Sequence, residues 1–137
     1  MSIFIDTAAF LAVLNANDRF HALARDTWSE ILLSDQDLFS SNYVILETTA
    51  LLQHRFGLEA LRLFENDILP VVEIMWVDRV IHDQSMSALL AANRRDLSLV
   101  DCTSFIIIRQ TGMDNVFTFD AHFREQGFDL IPVNNPT

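Results

Sequence analysis

Apolar residues along this chain fall into short runs separated by longer amphipathic segments, a pattern typical of strands that alternate with helices. Residues 2–5 form an apolar strand that leads directly into Asp6. Further strands are expected at residues 38–40, 71–77, 115–119 and 128–133. Helices are expected at residues 8–14, 20–33, 43–55, 58–69, 79–93 and 99–111, with a short helical turn at 121–126. This order predicts an α/β fold in which helices flank a central, mostly parallel sheet of about five short strands.

The residues at the ends of these segments add detail to the predicted fold. Asn42, Asp78 and Ser98 have the residue types and positions of N-caps for the helices that follow them. Residues 71–77 are almost continuously apolar, so we expect this strand to be buried on both faces, whereas 128–133 should be an edge strand. The 137 residues contain no repeat or linker. A single domain spanning 1–137 is therefore expected.

Four acidic residues occupy positions where an acid is unusual. Asp6 and Asp120 each follow a predicted strand, and Glu47 and Asp101 lie on or beside the apolar stripes of predicted helices. Taken singly, each is explained as a helix cap or a surface residue, because acids are common at both places. Parallel strands, however, place their carboxyl ends at one edge of the sheet, where open α/β sheets bind ligands. The pattern therefore predicts that the four side chains meet in one pocket.

The overall charge excludes several kinds of chemistry. The formal net charge is −10 and all nine cationic residues are arginine, because the chain has no lysine. A G-x-x-x-x-G-K phosphate loop, a Schiff-base lysine and a receiver domain with a lysine beside its acids are therefore excluded. The three glycines lie too far apart for a G-x-G-x-x-G dinucleotide loop.

The lack of a long apolar segment and of paired cysteines predicts the cellular location of the protein. No apolar run approaches the roughly 20 residues that a membrane-spanning helix needs. The single cysteine, Cys102, cannot form an internal disulfide. A cytoplasmic protein with no membrane segment is expected.

Clustered carboxylates repel one another, so the predicted pocket needs a compensating cation. Oxygen ligands favour Mg²⁺ or Mn²⁺ over Zn²⁺, and the sequence contains no close pair of His or Cys residues. Such ions lower the pKa of bound water and stabilise the attacking and leaving oxygens of a phosphodiester. Hydrolysis of phosphodiester bonds is the chemistry that this set of residues predicts.

Several short motifs occur in an order and at a spacing that resemble a known family. They are Phe4-Ile5-Asp6-Thr7, Glu47, Leu97-Ser98-Leu99-Val100-Asp101, Thr118-Phe119-Asp120-Ala121-His122-Phe123 and Gly127-Phe128. Together they resemble the PIN-domain nucleases, in particular the VapC-like toxins of toxin–antitoxin pairs, over essentially the whole chain. The resemblance implies a metal-dependent endoribonuclease that hydrolyses RNA, is paired with a small antitoxin protein and forms a homodimer.

The resemblance also implies roles for individual residues. Asp6, Glu47, Asp101 and Asp120 would be the catalytic acids that bind one or two Mg²⁺ or Mn²⁺ ions. Thr7 and Thr118 would be supporting hydroxyls beside them.

Binding of RNA by so acidic a chain requires local cations. Arg94 and Arg95, just before the helix that carries Asp101, are candidate phosphate contacts, and so are Arg19 and Arg25 after the first helix. Solvated surface arginines are the competing interpretation for each of the four. His122 is expected to be a surface or packing histidine rather than a ligand.

Two other functions remain open. A haloacid-dehalogenase-like phosphatase also places an acid after its first strand, but that family needs a second aspartate two residues later, where this chain has Ala8. A non-catalytic PIN-like module that binds other proteins is the second alternative. The acidic surface is compatible with such a module, whereas the intact set of four acids favours a nuclease.

Overall fold

The strands are β1 (Ser2–Ile5), β2 (Asp37–Ser41), β3 (Glu73–Met75), β4 (Asn115–Phe117) and β5 (Leu130–Ile131). All five pair in parallel in the order β3-β2-β1-β4-β5, so β1 lies at the centre of the sheet. This computed structural model describes residues 1–133 and 135–136. The helices are α1 (Thr7–Leu14), α2 (His21–Leu33), α3 (Asn42–Phe56), α4 (Leu58–Leu63), α5 (Arg79–Ala92), α6 (Leu99–Thr111) and α7 (Ala121–Glu125). The predicted α/β fold with a five-stranded parallel sheet is confirmed.

The centre of the sheet is apolar on both faces. Ile3, Phe4 and Ile5 are each at most 1% exposed, and successive residues of a strand point to opposite faces. Val116 and Phe117 on the neighbouring strand β4 are buried to the same degree. Strands covered on both faces require continuous rather than alternating apolar sequence, which is what β1 and β4 contain.

Helices supply the rest of the core. Phe105, Ile107 and Ile108 of α6 are buried, as is Phe10 of α1. The ring of Phe10 meets the ring of Phe64 edge-on, with 5.1 Å between centroids. Within the described residues, no helix has the length and apolar character required to span a membrane.

The strand predicted at 71–77 differs from expectation. Only Glu73–Met75 forms a strand, and it is not buried on both faces. β3 is the outermost strand of the sheet and pairs with β2 alone, and the layers that cover the central strands leave its side chains partly exposed. Glu73 is exposed and Ile74 is half-buried. Val71 is 48% exposed in the 3₁₀ turn Leu69–Val71. The other edge strand, β5, is also shorter than predicted, since Pro132 has no N–H with which to extend the ladder.

The helix predicted at 58–69 is also interrupted. Regular α-helix ends at Leu63, and a π-helical turn, Phe64–Ile68, leads into the 3₁₀ turn that contains Pro70. A proline at this position cannot continue an α-helical hydrogen-bond pattern, so the chain leaves the helix and enters β3.

The predicted cap of α3 is wrong by one residue. The Ser41 hydroxyl, not the Asn42 side chain, accepts the Val44 N–H at 3.2 Å. Asn42 instead accepts the Val77 N–H at 2.7 Å, which ties the start of α3 to the segment after β3. The predicted caps Asp78 and Ser98 are confirmed, because each accepts a backbone N–H from the first turn of its helix.

Helix α3 offers a matched test of the core. Leu52→Ala should lower the free energy of unfolding by about 2–5 kcal/mol, because Leu52 is 0% exposed and its loss leaves a cavity. Leu33→Ala at the end of α2 is the control and should change it by less than about 0.5 kcal/mol, since Leu33 is 89% exposed. Urea unfolding followed by circular dichroism measures both. Equal losses would contradict the packing of α3 described above.

Candidate active site

The four predicted acids lie at the carboxyl edge of the sheet. Asp6 follows β1 directly, and Asp120 follows the neighbouring strand β4 by three residues. Glu47 on α3 and Asp101 on α6 approach from the flanking helices. Asp6 interacts electrostatically with each of the other three carboxylates, so the structure brings all four together as the strand order predicts.

Asp6 is the most deeply placed member of this acidic cluster. It occupies the N-cap position of α1, but its side chain caps nothing there. Its Oδ2 atom instead accepts the Thr118 hydroxyl at 3.1 Å, and the side chain is almost fully buried. Burial, then repulsion from Asp101, raises the pKa of Asp6 to about 7, although the Thr7 amide acts in the opposite direction. Capping therefore does not explain Asp6.

Glu47 is half-buried on α3 and stands next to Thr7. Burial raises the pKa of Glu47, the Thr7 hydroxyl lowers it, and repulsion from Asp101 and Asp120 raises it further. The Thr7 hydroxyl also accepts the Thr48 hydroxyl at 3.2 Å. Thr7 thus fixes the start of α1 against α3, one residue from Asp6.

Asp101 is both a cap and a member of the cluster. Its Oδ2 atom accepts the Ser98 N–H at 3.0 Å, while the Ser98 hydroxyl accepts the Asp101 N–H at 3.0 Å, which forms a capping box. Burial raises the pKa of Asp101, the Ser98 amide lowers it, and repulsion from Asp120 raises it. The two interpretations of this residue are therefore compatible.

Thr118 links the two acids that follow strands. Its hydroxyl donates to Asp6 and accepts the Asp120 N–H at 3.0 Å. Asp120 in turn accepts the His122 N–H through Oδ1 at 3.0 Å, which caps the short helix α7. One buried hydroxyl thus sets the position of both acids.

His122 lies in the cluster, a position that the sequence did not predict. Its Nδ1 atom is 3.0 Å from Asp120 Oδ1 and 3.9 Å from Asp101 Oδ2, and its Nε2 atom is 3.2 Å from Asp96 Oδ2. Burial opposes a charge on His122, but the hydrogen bond to Asp96 and the carboxylates of Asp120 and Asp101 together raise its pKa. The two-residue spacing between Asp120 and His122 was the available signal.

The chemistry of the cluster fits a divalent cation. The raised pKa values of Asp6, Glu47 and Asp101 reflect burial and mutual repulsion that no basic residue within the cluster offsets fully. One ligand atom each from Asp101, Asp120 and His122 lie within 4.8 Å of one another, close enough to share one ion. Carboxylate oxygens, with one imidazole nitrogen nearby, suit Mg²⁺ or Mn²⁺.

Comparison with known proteins identifies the fold around this cluster. Residues 3–129 match the family model for the PIN domain. The chain belongs to the PIN-domain family. The resemblance inferred from the sequence motifs is thereby confirmed, and the PIN domain contains all four acids of the cluster.

A relative of this PIN domain is the 23S rRNA-specific endonuclease VapC20 of Mycobacterium tuberculosis. It is 32% identical over 127 residues, which cover 92% of this chain and 95% of the relative. The crystal structure of VapC20, described as a Sarcin-Ricin loop cleaving toxin, has a TM-score of 0.80 at 31% identity over the same shares of each chain.

More distant structures share the fold. FitAcB from Neisseria gonorrhoeae has a TM-score of 0.67 at 17% identity and covers 93% of this chain and 95% of its own. VapBC2 from Rickettsia felis, solved with a DNA fragment from its promoter, has a TM-score of 0.66 at 12% identity and covers 95% and 97%. At these identities the likeness concerns the fold alone.

The predicted phosphate contacts of the PIN domain differ in their surroundings. Arg94 is held in ion pairs with Asp96 at 2.7 Å and Glu125 at 2.9 Å, so its charge is already balanced. Arg95 and Arg25 are exposed, and neither forms an ion pair with any residue that the structure describes.

Arg19 lies over an aromatic stack that leads to the cluster. Its guanidinium carbon is 4.3 Å from the centroid of the Phe20 ring. Phe20 stacks on Phe119, with 4.8 Å between centroids and 8° between planes, and Phe119 directly precedes Asp120. Arg19 therefore presents an exposed, planar guanidinium, and the stacked rings of Phe20 and Phe119 connect it to the acidic cluster.

The raised pKa of Asp6 predicts an unusual pH dependence. In the metal-free protein, the folded state keeps a proton on Asp6 up to about pH 7, whereas the unfolded state releases it near pH 3.8. Ionisation therefore lowers the free energy of unfolding as the pH rises through this window, by up to about 4 kcal/mol. Asp6→Asn should remove this loss. Urea unfolding in EDTA at several pH values between the two pKa values measures it.

Asp35→Asn is the matched control, because Asp35 is an exposed acid just before β2. It lies at the amino ends of the strands, whereas the acidic cluster lies at their carboxyl ends. This substitution should leave the pH dependence of wild type unchanged. Mg²⁺ at a hundredfold excess over its Kd should add roughly 2.7 kcal/mol to wild type and less to Asp6→Asn. Parallel behaviour of wild type and Asp6→Asn in both buffers would contradict a shared ion site.

Proposed function

We propose that this PIN domain is a divalent-metal-dependent endoribonuclease and the toxin of a toxin–antitoxin pair. The observation that carries the proposal is the convergence of Asp6, Glu47, Asp101 and Asp120 at one edge of the sheet. Similarity to the endonuclease VapC20 over nearly the whole chain supports RNA as the substrate, with ribosomal RNA as the first candidate.

The four acids are the proposed catalytic residues and the ligands of one or two Mg²⁺ or Mn²⁺ ions. When bound there, such an ion would supply stabilisation of negative charge on the phosphodiester and would make its bound water more acidic. The chain contributes the geometry: the Thr118 hydroxyl orients Asp6, and the capping box orients Asp101. Thr7 supports Glu47 from α1. These contacts hold the carboxylates in place before substrate arrives, which reduces the reorganisation that the reaction requires.

Local cations offset the unfavourable net charge of −10. Arg95 and Arg25 are exposed and supply phosphate contacts. Arg19 offers a guanidinium face on the aromatic stack beside the site, where it contacts either a phosphate or a base of single-stranded RNA. Arg94 is the weakest of the four candidates, because Asp96 and Glu125 already use its donors.

The proposed partners are a small antitoxin protein and a second copy of this chain. Large apolar side chains are exposed on and beside α3 and α5, where a partner could cover them: Leu46 is 70% exposed, Trp76 76%, Val80 63% and Leu90 72%. An antitoxin that presents Arg or Lys to the acidic cluster would block the ion site. A ribosomal RNA substrate would place the protein in the cytoplasm.

The proposed nuclease should cleave RNA only with a divalent cation. Incubation with total RNA and Mg²⁺ or Mn²⁺ should give discrete cleavage products, and EDTA should abolish them, because the four acids carry no positive charge with which to stabilise the reacting phosphate. Asp120→Asn should abolish cleavage, whereas the surface control Asp35→Asn should cleave like wild type. Mapping of 5′ ends measures both. Cleavage that persists in EDTA, or in Asp120→Asn, would refute the proposed chemistry.

The arginines should differ in their effect on RNA affinity. Arg95→Ala should lower the slope of log Kd against log salt by about one unit, because one phosphate contact is lost. Arg62→Ala is the control: Arg62 is an exposed arginine that pairs with Glu59 on α4, a helix that supplies nothing to the cluster. Fluorescence anisotropy with an RNA oligonucleotide, measured in Ca²⁺ to prevent cleavage, gives both slopes. The same slope for both variants would remove Arg95 from the RNA-binding surface.

A further inference from the structure

The proposed function leaves the role of His122, which lies beside the acids, unassigned. Its ring lies between two sets of carboxylates: Nε2 faces Asp96, and Nδ1 faces Asp120 and Asp101. The Nδ1 atom is buried and has no hydrogen-bond partner among the described residues. Asp120 Oδ1 is 3.0 Å away, but that oxygen already accepts the backbone N–H of His122, and its approach to Nδ1 is not that of a hydrogen bond.

The contact with Asp96 fixes which nitrogen can bind an ion. A carboxylate oxygen only accepts, so Nε2 carries the hydrogen that it donates to Asp96. In the neutral ring, Nδ1 then has a free lone pair, and Asp120 Oδ1 and Asp101 Oδ2 lie 3.0 Å and 3.9 Å from this nitrogen. A histidine whose second nitrogen donates to a carboxylate is the usual arrangement of an imidazole metal ligand, because the carboxylate fixes the ring and increases its basicity.

Arg94 and Glu125 hold Asp96 in position. Arg94 donates to both oxygens of Asp96, from Nε at 3.1 Å and from Nη2 at 2.7 Å. Its third donor, Nη1, reaches Glu125 at 2.9 Å. Glu125 on α7 therefore contacts Arg94, Arg94 contacts Asp96, and Asp96 contacts His122, which also lies on α7. These contacts hold the imidazole ring in position from outside the acidic cluster.

The distances agree with ligands that share one ion. At metal–ligand distances of about 2.1 Å, adjacent ligands of an octahedral ion are about 3 Å apart and opposite ligands about 4.2 Å apart. Nδ1 lies 3.0 Å from Asp120 Oδ1 and 3.9 Å from Asp101 Oδ2, within this range.

We infer that His122 provides a nitrogen ligand, through Nδ1, to a divalent ion that Asp101 and Asp120 also bind, and that Asp96, Arg94 and Glu125 hold the ring in position. The inference rests on the proposed metal-dependent function and extends it. It gives Arg94 a role in the metal site instead of in RNA binding. A nitrogen ligand favours Mn²⁺ over Mg²⁺ more strongly than oxygen ligands alone, because imidazole is a softer donor than carboxylate.

Pulsed electron paramagnetic resonance of the full-length protein loaded with Mn²⁺ tests the assignment. The spectrum should contain a ¹⁴N coupling to the ion, and growth with ¹⁵N-labelled histidine should replace it with a ¹⁵N coupling. This comparison uses wild type alone, so it does not depend on the folding of a variant. Tightly bound Mn²⁺ with no histidine nitrogen coupling would overturn the inference and leave the proposed nuclease intact.

Variants then assign the nitrogen to one residue. His122→Gln should lose the coupling and weaken Mn²⁺ binding by about 10-fold or more in calorimetry, with a smaller effect on Mg²⁺. His54→Gln removes an exposed histidine at the far end of α3 and should keep both the coupling and the affinity. A coupling that survives in His122→Gln, or an unchanged Mn²⁺ affinity, would restrict His122 to a counter-charge and refute its role as a ligand. Failure of wild type to bind either ion would instead refute the proposed function itself.

Discussion

Parallel pairing of β1 with β4 is the constraint on which the site depends. It places the residues that follow both strands at one edge of the sheet, so Asp6 and Asp120 meet although they are far apart in sequence. An antiparallel pair would separate them by the length of a strand. The acids gathered in this way oppose folding, since each close pair costs energy when ionised. Burial of the apolar residues of β1 and β4 offsets that cost, which explains why the most apolar strands of the sheet lead to the most acidic part of the molecule.

Short hydroxyl side chains, rather than cations, hold the carboxylates in place. Thr118 donates to Asp6, Ser98 forms the capping box with Asp101, and Thr7 supports Glu47. A hydroxyl orients an acid without neutralising it. The guanidinium of Arg94 is engaged by Asp96 and Glu125, outside the cluster. The fold therefore preserves the negative charge that an incoming cation requires.

The sequence predicted the part of the site that depends on strand order. Continuous apolar runs that end in an acid indicate buried parallel strands, and sheet geometry alone then brings Asp6 and Asp120 together. His122 could not be placed in the same way, because its position depends on a contact with Asp96 across 26 residues, between a loop and a helix of five residues. Arg94 and Arg95 are identical in type and adjacent in sequence, so only the structure distinguishes the paired arginine from the exposed one.

The wrong prediction for β3 also results from contacts that the sequence alone does not specify. An apolar run shows that a strand is covered, but it does not distinguish coverage by the same fold from coverage by another chain. Trp76 follows β3 directly and is 76% exposed, so part of the apolar character of this run belongs to the surface.

The double use of Asp101 affects how activity is inferred across the family. Its carboxylate both starts α6 and belongs to the acidic cluster, so selection for a stable fold would retain an acid there even in a lineage that no longer cleaves RNA. Asp6 has no such capping role, because its side chain does not cap α1 and its negative charge is unfavourable in the folded protein. Drift after loss of activity should therefore replace Asp6 first. When only the sequence of a relative is known, an acid at the position of Asp6 is the better indication of an active enzyme. An acid at the position of Asp101 alone is a weak indication.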